Sequence, residues 1–106
     1  MKIHKYAMVS LLRCNDNVIR VGKKFYMRYV AAILYKRNIE KCSTIMLRAL
    51  GRNISRAISI ATAAMFLDSS LYPSEARIFS IFLSSGGREL RKSGIELVLR
   101  VRDFIP

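Results

Sequence analysis

The chain has 106 residues, of which 19 are Lys or Arg and seven are Asp or Glu, giving a formal charge of +12 and a pI near 10.4. That length supports one compact domain that buries roughly two-thirds of its unfolded surface, and is too short for two. A hydrophobic fraction of 52% excludes a disordered basic tail and leaves some apolar surface for a partner chain, while the cationic surplus points to a polyanionic partner.

Lys2 and Lys5 precede an apolar run, Tyr6 to Leu12, that is faintly like a secretory leader. Arg13 stops it and no small-residue cleavage site follows, so residues 1–16 read as an N-terminal extension and residues 17–106 as the domain. No stretch approaches the roughly 20 apolar residues of a membrane span, and no membrane partner is expected. Cys14 and Cys42 lack the spacing of a zinc or redox pair, and His4 is the only histidine. Both thiols are expected to be reduced and structural, with no metal or other cofactor.

Val18 to Val21 is short and β-branched and ends at Gly22, which predicts a strand and a turn. From Lys24 to Arg37, Tyr26, Val30 and Ile33 recur at helical spacing, with Met27 and Leu34 beside them. Lys36 and Arg37 fall in the last turn of that helix, where they oppose its dipole, and Asn38 can cap it. Thr44 to Leu50 reads as a strand with Ile45, Leu47 and Ala49 on one face and Thr44, Met46 and Arg48 on the other. After Gly51, the series Ile54, Ala57, Ile58, Ala61, Thr62 and Met65 marks an amphipathic helix with Asn53 as N-cap. Arg52, Arg56 and Ser59 share another face of it.

Asp68 to Ser74, with Pro73, reads as a loop. Ala76 to Leu83 and Ile95 to Arg102 alternate as strands, Ile95, Leu97, Leu99 and Val101 facing inward. Ser84 to Gly94 between them forms a glycine-hinged basic hairpin arm carrying Arg88, Arg91 and Lys92. The order is strand, helix, strand, helix, strand, strand. If the first two strands pair in parallel, both helices begin at one sheet edge, which gathers Lys23, Lys24, Arg28, Arg52 and Arg56.

Basic residues at helix starts oppose ordinary helix electrostatics. The N-terminus carries about half a positive charge and unpaired N–H groups, so each cation there costs roughly 0.3 to 1 kcal/mol unless an anion is bound. By contrast, Lys36, Arg37, Lys41, Arg100 and Arg102 read as solubility charges. Phe25, Tyr26, Tyr29 and Tyr35 suggest base stacking, but helical spacing assigns most of them to the core, with Phe25 the exception beside the lysine pair. Phe66, Leu67, Phe79 and Phe82 are expected in the core or a dimer interface. Catalysis is not expected: the acids are scattered, His4 lies near a terminus, and Gly86-Gly87 opens a hairpin and not a phosphate-cradling loop. Acidic lipid is a poor fit because the cations are split among turns instead of lining one amphipathic helix.

The run Asn17-Val18-Ile19-Arg20-Val21-Gly22-Lys23-Lys24, then Met27 with Tyr29-Val30, then Ala49-Leu50-Gly51-Arg52-Asn53-Ile54-Ser55-Arg56-Ala57-Ile58, resembles the Alba family of small basic nucleic-acid-binding proteins. The resemblance covers residues 17 to 103. It implies an α/β two-layer sandwich of order β-α-β-α-β-β, with a four-stranded mixed sheet and two helices on one face. It further implies a dimer, homotypic or with another Alba-like chain, that binds DNA or RNA with little sequence preference.

By the resemblance, Lys23 and Lys24 contact nucleic acid, with Arg48, Arg52 and Arg56 around the second block and Arg88, Arg91 and Lys92 on an arm along the minor groove. A lysine at the position of Lys23 can be acetylated in archaeal members, which would remove one charge. Phe25 stands where many members have proline, Arg28 where a small polar residue is common, and Leu50 where archaeal members have arginine. Ala49-Leu50-Gly51 and the run Asn53 to Ala61 are nearer to eukaryotic Alba-like proteins, which leaves DNA versus RNA open and makes a heterodimeric RNA-binding subunit of ribonuclease P or MRP the alternative. The implied location is the nucleus in a eukaryote and the nucleoid or cytoplasm in an archaeon.

Overall fold

The computed structural model describes Cys14 and residues 16–102; the readings of the leader-like run and of His4 lie outside these. Strand β1 (Val18–Val21) leads to helix α1 (Tyr26–Asn38), strand β2 (Thr44–Leu50), helix α2 (Asn53–Leu67), strand β3 (Leu71–Ser85) and strand β4 (Arg88–Val101). They build one four-stranded sheet in the order β1-β2-β4-β3. β1 and β2 are parallel, whereas β4 runs antiparallel to both β2 and β3.

Period-two alternation puts Ile19, Val21, Ile45, Leu47, Ala49, Ile95 and Leu99 on one sheet face, where both helices cover them. α1 contributes Tyr29, Val30 and Ile33, and α2 contributes Ala57, Ile60, Ala61 and Ala64. The fully buried Ile33, Ile45, Leu47 and Ile60 each stabilise the fold by about 1.5 to 3 kcal/mol through loss of apolar surface to water. This is the two-layer architecture expected from the sequence.

Several details differ from expectation. α1 begins at Tyr26, not Lys24, and its buried stripe is rotated so that Tyr29 is inside while Tyr26, Met27 and Tyr35 are exposed. In α2 the stripe runs through Ile60 and Ala64, leaving Ile58 and Thr62 outside; small alanines bring the helix close to the sheet and shift the contact line. Asn53 is the first helical residue and not an N-cap. The loop after α2 is shorter than expected because Leu71 already pairs with Val101, and Pro73 is accommodated on the edge strand beside a bulge. Ser84 to Gly94 forms the expected hairpin arm, but β3 and β4 continue through it, past Leu83 and before Ile95, down to Ser85 opposite Arg88. Gly86 and Gly87, both at positive φ, make the two-residue turn.

Cys14 and Cys42 are joined in a disulfide across 28 residues, correcting the expectation of free thiols. Motif spacing was a poor guide, since the parallel register that pairs Val18 with Met46 carries the same offset back to Cys14 and Cys42, with the two Cα atoms 4.9 Å apart.

Asp68 organises the junction between α2 and β3. Its carboxylate accepts from the amide and hydroxyl of the buried Ser70 and faces Arg37 of α1 at 3.7 Å. The Ser70 hydroxyl bond chiefly, with Arg37 helping, holds the Asp68 carboxyl below its ordinary range against the opposing effect of burial. Its stabilising contribution is therefore present above the unfolded pKa of about 3.9 and is lost as pH falls through the lower folded value. Asp68→Asn is expected to be less stable than the parent by about 1 kcal/mol at pH 7, and the gap should close on acidification below about pH 4 in urea titrations. A gap that stays constant with pH would contradict this role.

Candidate functional site

Parallel register aligns Val21 with Ala49, so β1 and β2 end at one edge and each hands over to a helix there. Neither helix has an acidic residue in its first turn, and neither has a side-chain cap; Arg28 lies in the first turn of α1. Two positive dipole ends thus meet at this edge without internal compensation.

The turn leading into α1 is held by two side chains. The Tyr29 hydroxyl accepts from the Gly22 amide at 2.9 Å and the Lys24 amide at 3.2 Å. From α2, the Arg56 guanidinium donates to the carbonyls of Gly22 and Lys24 and lies 5.8 Å from the Tyr29 ring centre. Arg56, expected on the anion, is therefore turned to the chain itself, because its place one turn into α2 puts it across the edge from those carbonyls. With these backbone groups satisfied, the exposed side chains of Lys23 and Lys24 are what the turn presents.

Lys23, Arg52 and Lys92 converge on a hollow of about 400 Å³ floored by Leu50, Gly51 and Asn53, with no carboxylate in its lining. A second hollow of about 420 Å³ opens on the helix-free face of the sheet, where Arg20, Arg48, Phe79 and Lys92 meet. Lys92 joins the two. Across that face the register sets Arg20 beside Arg48, Arg48 beside Glu96 and Glu96 beside Arg77. Glu96 is bonded to Arg48 at 3.0 Å and shared with Arg77 at 3.9 Å. Arg48 also lies 4.7 Å over the Phe79 ring, which can rest there because Gly94 beneath has no side chain: a Cβ at this position would stand 2.3 Å from the ring.

Arg48 is thus largely neutralised within the molecule, whereas Arg20 is left opposite a like charge, an unfavourable neighbour on a sheet. The sequence reading missed Arg20. The inward alternation of Ile19 and Val21 was the signal that placed it outward beside Arg48.

The structure does not bring every expected residue together. On the arm, Arg88 follows the Gly86-Gly87 turn and alternates onto the face of Lys92, whereas Arg91 projects from the opposite face beside Ile54 and Ile78. Among the described residues, none of the ion pairs engages Lys23, Lys24, Arg28, Arg52, Arg88, Arg91 or Lys92. One group of metal-ligating types comes together among those residues, Cys14, Glu40 and Cys42, but its two sulfurs are bonded to each other. No described helix is long and apolar enough to cross a membrane.

No protein-family model matches the chain. A protein of Picrophilus torridus named DNA/RNA-binding protein Alba is 38% identical over 86 residues, covering 79% of this chain and 94% of that protein. One of the same name from Methanococcus maripaludis is 29% identical over 90 residues, covering 79% and 97%. Among solved structures, Alba from Thermoplasma volcanium superposes with a TM-score of 0.74 at 29% identity, over 79% of this chain and 99% of that one. ALBA1 from Trypanosoma brucei shares the fold at a TM-score of 0.62 and 19% identity, over 84% and 72%. With the strand order, the Gly22-Lys23-Lys24 turn and the Gly51-Arg52 helix start all in place, this kinship establishes the chain as a member of the Alba family.

Proposed function

We propose that the chain binds DNA or RNA through backbone phosphates, with little sequence preference and without catalysis, as one half of a dimer. The observation that carries this reading is the convergence of Lys23, Arg52 and Lys92 on a hollow that no carboxylate lines, at an edge where two helix N-termini are uncompensated. A phosphate row supplies what this edge lacks: a dense negative charge with acceptor oxygens. The names of the relatives, DNA/RNA-binding proteins, support the same ligand class. Lys24 and Arg28 extend the basic surface along α1, Arg88 lengthens it along the arm, and Arg48, tied to Glu96, adds less than an unpaired arginine.

Side chains on flexible stems, with the Gly22 and Lys24 amides and carbonyls satisfied internally, favour contact with phosphate over reading of base edges. If each protomer neutralises about five phosphates, log affinity for duplex DNA falls with log salt at a slope of about −4 to −5. Replacing Lys23 and Lys24 together by Ala should weaken binding to all duplex sequences alike and flatten that slope by about 1.8. A slope near zero in the parent, or a loss confined to one sequence, would contradict phosphate-led binding.

Dimerisation is favoured by apolar side chains left in water. Ile78 is 85% and Phe82 71% exposed, and alternation along β3 puts both on the arm face next to Ile54. A second Alba-like chain laid on this face would cover them. A mass in solution of about twice 12.1 kDa, halved in the Phe82→Ser variant, is the expected result. A soluble chain that stays monomeric until another Alba-like subunit is supplied would instead favour the heterodimeric reading, as in ribonuclease P or MRP. A monomer that pairs with neither would overturn the dimer.

A further inference from the structure

Phe25 is out of place for a residue with no work to do. It directly follows Lys23 and Lys24, occupies the cap position of α1, and is 67% exposed, a large aromatic surface left in water. Its ring makes one aromatic contact, a tilted packing against Tyr26 at 5.6 Å, which leaves much of the ring free. The ring stands on the rim of a groove of about 950 Å³ between the start of α1 and the outer face of α2. The hydroxyls of Ser55, Ser59 and Thr62 line that groove together with the exposed apolar side chains of Met27, Phe66 and Leu67, Lys23 and Lys24 stand at its basic end, and no carboxylate enters the lining. Arg56 pins the turn behind them, so the ring and the two ammonium groups are carried on a fixed backbone.

We infer that Phe25 is a stacking site for an unpaired base, whose flanking phosphates rest on Lys23 and Lys24. In a duplex both faces of each internal base are already covered, so an exposed ring can stack only on a base that is single-stranded, looped out or terminal. The groove has the volume of a small-molecule pocket, and its hydroxyls can meet a base edge without selecting one base strongly. The ligand is therefore single-stranded nucleic acid or an RNA loop, held more tightly than duplex phosphates alone would hold it. This rests on the phosphate reading of the lysine pair and adds a ligand class to it.

The test uses the full chain with oligouridine, oligothymidine and a DNA duplex of equal length. Phe25→Ala is expected to weaken binding to the single strands about fivefold or more, the scale of one base–aromatic stack, while duplex affinity stays within about twofold. Because the chain has no tryptophan, Phe25→Trp introduces a lone indole, whose emission should be quenched by the single strands and not by the duplex, with affinity retained. Equal losses on single strand and duplex, or an indole indifferent to a bound single strand, would overturn the stacking site and leave the phosphate reading intact. A parent chain that binds none of the three ligands would remove both, whereas loss of all three in the Lys23→Ala, Lys24→Ala variant with Phe25→Ala unaffected would remove the stacking site alone.

Discussion

Parallel pairing of β1 with β2 is the constraint on which the rest depends. Because the two strands run in one direction, the chain must return over the sheet through α1, and both helices then begin at the same edge. Like ends of two dipoles meet there, and Lys23 and Arg52 are delivered to the same place with Lys92 reaching it from β4. A globular fold would ordinarily answer such a concentration of charge with carboxylates. Here the described carboxylates that form ion pairs are spent elsewhere, on Lys36, Arg37, Arg48 and Arg77.

The site has two kinds of cation, separated by what they touch. Arg56 works inward, tying the Gly22 and Lys24 carbonyls to α2 over the Tyr29 ring, and makes the turn rigid. Lys23 and Lys24 work outward from that fixed turn. Arg48 is intermediate: Glu96 and Phe79 orient it, and in doing so use much of its charge. Arg20 beside it has no such partner among the described residues, so the sheet face keeps a positive field next to the basic edge.

Much of this was legible in the residues. A short β-branched run marked β1, alternation marked β2 and the inner half of β4, helical periodicity found both helices, and Gly22 and Gly51 marked where strands give way to helices. What escaped depends on partners far apart in sequence. The Arg48–Glu96 bond follows from antiparallel register, and the Arg56 clasp from the spacing of two helix starts. The disulfide follows from the parallel register of β1 and β2. The two strands of the hairpin arm were read short for a different reason: Ser84 to Gly94 is polar and charged, so it lacks an apolar alternation, yet its ladder is continued from a well-anchored sheet and needs none. Phe82 and Ile78 lie at exposed positions of β3, which apolar character alone does not distinguish from the core.

Glu96 offers the most direct test of the claim that phosphate takes the place of absent carboxylates. In the Glu96→Gln variant Arg48 loses its internal counter-charge while the strand keeps a side chain of the same shape. Affinity for duplex DNA should rise, and the slope of log affinity against log salt should steepen by about 0.9, the increment of one additional phosphate contact. Unchanged or weakened binding with an unchanged slope would show that charge at this edge and face is not what holds the nucleic acid.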